Sequence, residues 1–116
     1  MNTPVRKEFG RIMSASFGLG GYQDAMLGIS FSLGSDSWRV NDFLGMWSPT
    51  HIKHSESCKW TEASRDAQFV EVMRKVDELL AQAKVRDFND LIGKPVEVMF
   101  KDFNTLDSWR LLTEVI

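Results

Sequence analysis

Apolar and polar residues alternate along three early segments of the chain, as they do in half-buried β-strands. The alternation runs from Arg11 to Leu19, resumes from Ala25 to Leu33, and continues less regularly from Trp38 to Trp47. Glycine-rich and serine-rich turns separate the segments. The pattern predicts an antiparallel meander of three strands, with small polar residues on one face of the second strand.

A helical period follows this meander. Apolar residues recur at three- and four-residue steps over Phe69, Val72, Met73, Val76, Leu79, Leu80 and Ala83, as in an amphipathic helix. Thr61 suits the N-cap position, while Glu62 and Asp66 suit the positive end of the helix dipole. We therefore predict one long helix that begins after Thr61.

A hairpin is predicted after the helix. A short turn over Asp87–Ile92 stops at Gly93, and alternation then runs from Pro95 to Phe100 and from Trp109 to Val115. The predicted order is βββαββ, an α+β fold with a mainly antiparallel five-stranded sheet and one long helix packed on one face. The length predicts a single α+β domain over residues 1–116, with the hairpin ending at the last residue.

Charge and cysteine content narrow the function classes. The net charge of −2 and the pI near 5.6 disfavour nucleic acid as a partner, because cations that neutralise phosphates dominate such binding. Residues 87–116 hold six acids against three cations, which suits a protein partner better. We expect no membrane span, since no uncharged apolar stretch is long enough. The single cysteine, Cys58, predicts a cytoplasmic location.

The glycines at positions 18, 20 and 21 do not match a phosphate-binding loop. A dinucleotide fingerprint needs a third glycine where Gln23 stands, and a helix where a strand is predicted. We interpret the segment as a turn in which Gly20 or Gly21 supplies a positive φ. No cofactor is expected.

His51, His54 and Cys58 are of the residue types that bind zinc. All three lie in one short loop, and the chain has no further cysteine or histidine to complete a tetrahedron. Cys58 also precedes the helix, where the dipole can activate a thiol, with His54 as the nearest base. We interpret the segment as a polar connecting loop and predict neither metal nor catalytic residues. A small metal-dependent hydrolase built on these residues remains the third hypothesis.

Aromatic residues outnumber what one protected sheet face requires, with four Trp, one Tyr and eight Phe. We predict partner binding at Tyr22, Trp47 and Trp60, which lie at turn and loop positions, and at Arg39. The second hypothesis, a single-stranded nucleic-acid-binding module, uses exposed aromatic residues together with Arg6, Lys7, Arg11 and Arg39.

Two stretches, SFGLGGYQDAMLGISFSLGSDSWR and GKPVEVMFKDFNTLDSWRLLTEVI, resemble a small uncharacterised protein of bacteriophages and prophages of Gram-negative bacteria. The resemblance implies an accessory protein in the host cytoplasm. The leading hypothesis is a non-enzymatic protein that binds a host or phage protein, in one version as an inhibitor of a host nucleic-acid-handling or defence system. An exposed edge strand in the C-terminal hairpin favours a homodimer.

Overall fold

The computed structural model describes residues 6–116, so residues 1–5 of the predicted domain lie outside the described residues. The elements in chain order are β1 (Arg6–Gly20), β2 (Met26–Gly34), β3 (Arg39–Trp47), α1 (Glu62–Ala83), β4 (Pro95–Phe100) and β5 (Leu106–Leu111). The five strands form one antiparallel sheet in the order β3-β2-β1-β4-β5. The predicted α+β fold and its βββαββ order are confirmed.

β1 is the long strand that connects two hairpins. β2 pairs with its residues Arg11–Gly20, whereas β4 pairs with Arg6–Arg11. The pairing with β2 shifts between Ile12 and Ser14, which marks a β-bulge. Because the pairing with β4 starts at Arg6, β1 begins five residues earlier than the predicted Arg11. Its first residues are mostly charged, so no apolar alternation reveals them.

The core lies between α1 and the sheet face that we call the inner face. Directly paired residues share a face, and the inner face carries Ile29, Phe31 and Leu33 of β2 and Val96, Val98 and Phe100 of β4, all at most 3% exposed. Val72, Leu79 and Ala83 of α1 complete the cluster. On the opposite, outer face, β2 carries Gly28, Ser30, Ser32 and Gly34, the small residues predicted there.

The sheet curls until its two edge strands meet on the inner side. The indole Nε1 of Trp109 in β5 donates a hydrogen bond to Oδ2 of Asp42 in β3, at 2.7 Å. Phe31 packs edge-on against the Trp109 ring at 5.1 Å, and Nζ of Lys75 in α1 lies 5.7 Å from that ring. The curl and the helix together enclose the core.

The ends of α1 follow the local chemistry of the sequence. Thr61 Oγ1 accepts the Ser64 N–H at 3.0 Å, and Ser64 Oγ accepts the Thr61 N–H at 2.9 Å. This reciprocal cap confirms the predicted start of the helix. Lys84 ends the helix in the left-handed conformation.

The C-terminal segment differs from its prediction. β5 ends at Leu111, and Thr113–Val115 form a 3₁₀ turn instead of the end of a strand. The prediction of a hairpin that ends at the last residue is therefore wrong. The reason is that β4 begins at Pro95, whose carbonyl accepts the Leu112 N–H at 3.0 Å. Beyond that bond, β4 has no further residue for the chain to pair with.

Candidate functional site

The glycine-rich turn packs closely against the aromatic ring of Phe43. Tyr22–Asp24 form a 3₁₀ turn between β1 and β2, and Gly21 has the predicted positive φ, at 67°. A Cβ built on Gly45 would lie 2.7 Å from the Phe43 ring, and one on Gly20 or Gly21 would lie 3.1 or 3.0 Å from it. The glycines thus leave space for Phe43, and β2 follows where a phosphate-binding loop needs a helix.

The residues of the predicted metal alternative have separate partners. His51 Nδ1 lies 3.0 Å from Ser48 Oγ, and the His54 ring packs edge-on against Trp60 at 5.3 Å. Cys58 Sγ lies 3.4 Å from Ser55 Oγ. Among residues 6–116, no three His, Cys, Asp or Glu side chains are placed to hold one metal ion. No observation therefore favours the metal-dependent hydrolase.

Two of the four predicted partner-binding residues are in contact. Tyr22 packs edge-on against Trp47, with ring centroids 6.3 Å apart, and its side chain is 66% exposed. The pairing of Met26 with Trp47 places the end of β3 beside the start of β2, next to the glycine turn. These two aromatic residues therefore form one cluster, in which Tyr22 is exposed and Trp47 is partly buried.

Trp60 and Arg39 lie elsewhere. Trp60 packs with His54 and with the guanidinium of Arg65, which lies 5.2 Å from its ring. Arg39 is the first residue of β3 and Trp47 is the last, so roughly 26 Å of strand separates the two residues. The four predicted residues do not form one site.

One edge of β1 is open over the half of the strand that leads into the glycine-rich turn. The last backbone hydrogen bonds of β1 on its β4 side both involve Ile12. Its N–H donates to the Lys94 carbonyl at 2.9 Å, and its carbonyl accepts the Gly93 N–H at 2.7 Å. From Ser14 to Gly20, no strand of the described chain pairs with this edge. Phe17 and Leu19 are 49% and 52% exposed there. We call Phe17, Leu19, Tyr22 and Trp47 the apolar end.

The opposite end of β1 gathers cations. Arg11 pairs with Gly34, and Gly34 pairs with Arg39, so these two arginines flank one glycine on the outer face. Lys7 lies on the same face, and the Arg6 guanidinium lies 4.3 Å from the Phe100 ring. With Lys101 in the turn after β4, these residues form what we call the basic end: Arg6, Lys7, Arg11, Arg39 and Lys101.

The acids of the C-terminal segment are largely engaged in local contacts. Arg110 lies 3.3 Å from a Glu97 oxygen and 3.1 Å from a Glu114 oxygen. The hydrogen bond from Arg110 lowers the pKa of Glu114 below its usual value. Hydrogen bonds from the Asn104 backbone and then from Thr105 lower the pKa of Asp102. Arg110 therefore offsets part of the negative charge of Glu97 and Glu114, whereas the hydrogen bonds to Asp102 favour its ionised form.

Sequence reasoning missed Phe17 and Leu19 as surface residues. Their alternation predicts a half-buried strand, and only the early end of the β1–β4 pairing exposes them. The uncharged run from Ile12 to Gln23 is a signal that could have found them, because edge strands usually carry charges.

No protein-family profile, curated protein or solved structure matches this chain. Within residues 6–116, no helix has the length and apolar character needed to cross a membrane.

Proposed function

We propose that this chain is a non-enzymatic binding protein whose partner is another protein, and that the partner adds an extended segment to the open edge of β1. The observation that carries the proposal is the absence of a paired strand along Ser14–Gly20 within the described chain. Backbone N–H and C=O groups of such an edge form hydrogen bonds with any strand that lies beside it.

The side chains of this edge favour an apolar partner segment. Phe17 and Leu19 alternate with Ser16, Gly18 and Gly20, so both large side chains lie on the inner face. No charged residue occurs between Ile12 and Gln23, whereas natural edge strands are commonly protected by lysine, proline or a covering segment. An uncharged segment with apolar residues at alternate positions would therefore cover both half-exposed side chains.

The Tyr22–Trp47 cluster extends this surface beyond the strand. Tyr22 lies two residues after the end of β1, and its ring is two-thirds exposed. Tyrosine and tryptophan are enriched at protein interfaces because each joins a large apolar ring to one polar group. Trp47 lies on the outer face of β3, with β2 between it and β1, so the cluster would contact a partner that extends past the end of β1 and not the segment paired with its open edge.

The resemblance to phage and prophage proteins supports a host or phage protein as the partner and the host cytoplasm as the compartment. Inhibition of a host nucleic-acid-handling or defence system is one outcome of such binding. Such inhibition could work by the acidic C-terminal segment occupying a basic nucleic-acid channel of the host protein. That route receives less support, since Arg110 offsets part of the charge of Glu97 and Glu114.

The test is capture from a Gram-negative bacterial lysate followed by hydrogen exchange on the isolated complex. We expect the amides of Ser14–Gly20 to gain protection in the complex and Leu19→Lys to abolish capture. Phe103→Lys is the matched control, because Phe103 is 71% exposed at the opposite end of the sheet. Failure of the wild-type chain to retain any protein would refute the function, while protection confined to α1 would refute the site.

A second copy of the chain is the alternative occupant of this edge. Antiparallel pairing about Gly18 would place Phe17 opposite Leu19 of the other copy. Strand-paired Cα atoms lie about 4.5–5.5 Å apart, within the range of a disulfide. Gly18→Cys in a Cys58→Ser background would then form a disulfide-linked dimer. Ser16→Cys in the same background would not, because position 16 lies opposite Gly20 of the other copy and four residues from the second position 16.

A further inference from the structure

The geometry points to single-stranded nucleic acid as a ligand of the basic end, a site separate from the protein-binding edge proposed above. Five cations, Arg6, Lys7, Arg11, Arg39 and Lys101, lie around the end of the sheet where β1 and β3 begin and β4 ends. Sequence-wide net charge disfavours nucleic acid, but phosphate binding depends on where the cations lie.

The charge balance at this end is positive. The acids near this end are Glu8, whose oxygen lies 3.6 Å from Arg6 Nε, Asp36 in the turn between β2 and β3, and Asp102. Glu97 is paired with Phe9 on the outer face, and one of its oxygens lies 3.3 Å from Arg110. The Asp102 carboxylate accepts the N–H groups of Asn104 and Thr105 at 2.8 and 2.7 Å, so it is held within its own turn. Lys7, Arg11 and Arg39 have no acid within ion-pair distance among residues 6–116, which leaves three cations free for phosphates.

Two exposed aromatic rings accompany these cations. Phe9 lies on the outer face between Lys7 and Arg11 and is 65% exposed. Phe103 lies in the turn between β4 and β5 and is 71% exposed. Bases of a single strand stack on such rings, whereas a duplex keeps its base faces within its own stack. The combination of free cations and exposed rings selects a single strand over a duplex.

A cavity of about 280 Å³ lies at the rim of the basic end. Arg6 and Arg39 line it together with Trp38, Phe103 and Asn104. The two guanidiniums supply donors for a phosphate, and the Asn104 amide supplies a donor and an acceptor for a base edge. The cavity thus offers one place where a phosphate and its base are held together.

The experiment measures fluorescence anisotropy of a labelled 15-nucleotide oligothymidine with the full chain, at several salt concentrations. Three phosphate contacts predict a slope of log K against log salt of roughly −2. Phe9→Ala and Phe103→Ala should each weaken binding roughly 5- to 150-fold, the range measured for loss of one base stack. Arg39→Gln should weaken binding and reduce the slope by about 0.7.

Matched variants separate this site from unspecific attraction. Lys53→Gln makes the same charge change in the loop that follows β3, and Tyr22→Ala removes an equally exposed ring at the apolar end. We expect neither to change oligonucleotide affinity. Equal affinity for a duplex, equal loss with Lys53→Gln, full competition by polyglutamate, or no binding at 50 mM salt would each overturn the inference. Thermal melting of every variant verifies that the fold is intact.

Discussion

The hydrogen bond between Trp109 and Asp42 joins the two edge strands of the curled sheet, and Trp109→Phe removes it while leaving an aromatic ring. The donor and acceptor atoms are 2.7 Å apart and the bond is partly buried. A hydrogen bond to a charged group contributes about 1.5–3 kcal/mol to stability. We expect a coupling free energy of that size between Trp109→Phe and Asp42→Ala in a double-mutant cycle.

Urea denaturation followed by circular dichroism measures each free energy of unfolding in the cycle. A loss of about 2 kcal/mol corresponds to a fall in Tm of roughly 8 °C for a chain of this size. Trp38→Phe is the control for the smaller ring, because Trp38 packs edge-on against Phe100. Its coupling to Asp42→Ala should be near zero.

An additive cycle would show that the Trp109–Asp42 hydrogen bond does not maintain the curl of the sheet. Distant substitutions add to within about 0.5 kcal/mol, so a Trp109–Asp42 coupling below that value would mean that the bond does not hold the edges together. In that case, packing of α1 alone would have to maintain the curl.

Three further predictions concern the turns, the cap and the close strand contact. Gly28→Ala should destabilise the protein by about 1–3 kcal/mol, because its Cβ would lie 2.2 Å from the Leu44 carbonyl oxygen; Gly18→Ala, which has open space, should be neutral or stabilising in the same melting assay. Thr61→Ala should cost about 1 kcal/mol by loss of the helix cap, and Thr61→Ser should retain most of that stability. NMR titration should give Asp102 a pKa below its ordinary 3.8. Because that pKa is depressed, its stabilisation is complete above pH 3.8 and is lost as pH falls through the folded-state value, a loss that Asp102→Asn should lack.

Elements with one clear periodicity could be predicted from the sequence. β2 and α1 each present an apolar face to the core and a polar face to solvent, and Thr61 adds a specific local signal. The first half of β1 could not be predicted in this way. Its inner-face residues Arg6 and Glu8 lie opposite Phe100 and Val98, so the apolar side chains that cover this region come from another strand.

The candidate sites depend on pairing between distant segments, and periodicity contains no such information. Tyr22 and Trp47 are each predicted to bind a partner, but their contact follows from the register of β2 with β3. Arg6 and Arg39 meet at one cavity because Trp38, which precedes Arg39, packs against Phe100, the strand partner of Arg6. The exposure of Leu19 likewise depends on where the pairing with β4 stops.

The two proposed ligands bind opposite ends of one strand, and this separation predicts that they bind independently. β1 runs from Arg6 at the basic end to Gly20 at the apolar end, along a molecule whose longest dimension is 46 Å. Arg39 is level with Arg11, so roughly 26 Å of strand separates it from Leu19, which exceeds the Debye length of about 8 Å at physiological ionic strength. Leu19→Lys should therefore leave oligonucleotide affinity unchanged within twofold, and Arg39→Gln should leave protein capture unchanged.

A large reciprocal loss would instead show that β1 transmits a change between its ends, or that both ligands share one surface. Anisotropy titrations of the captured complex distinguish these outcomes, because a shared surface excludes the oligonucleotide and coupled ends only weaken it.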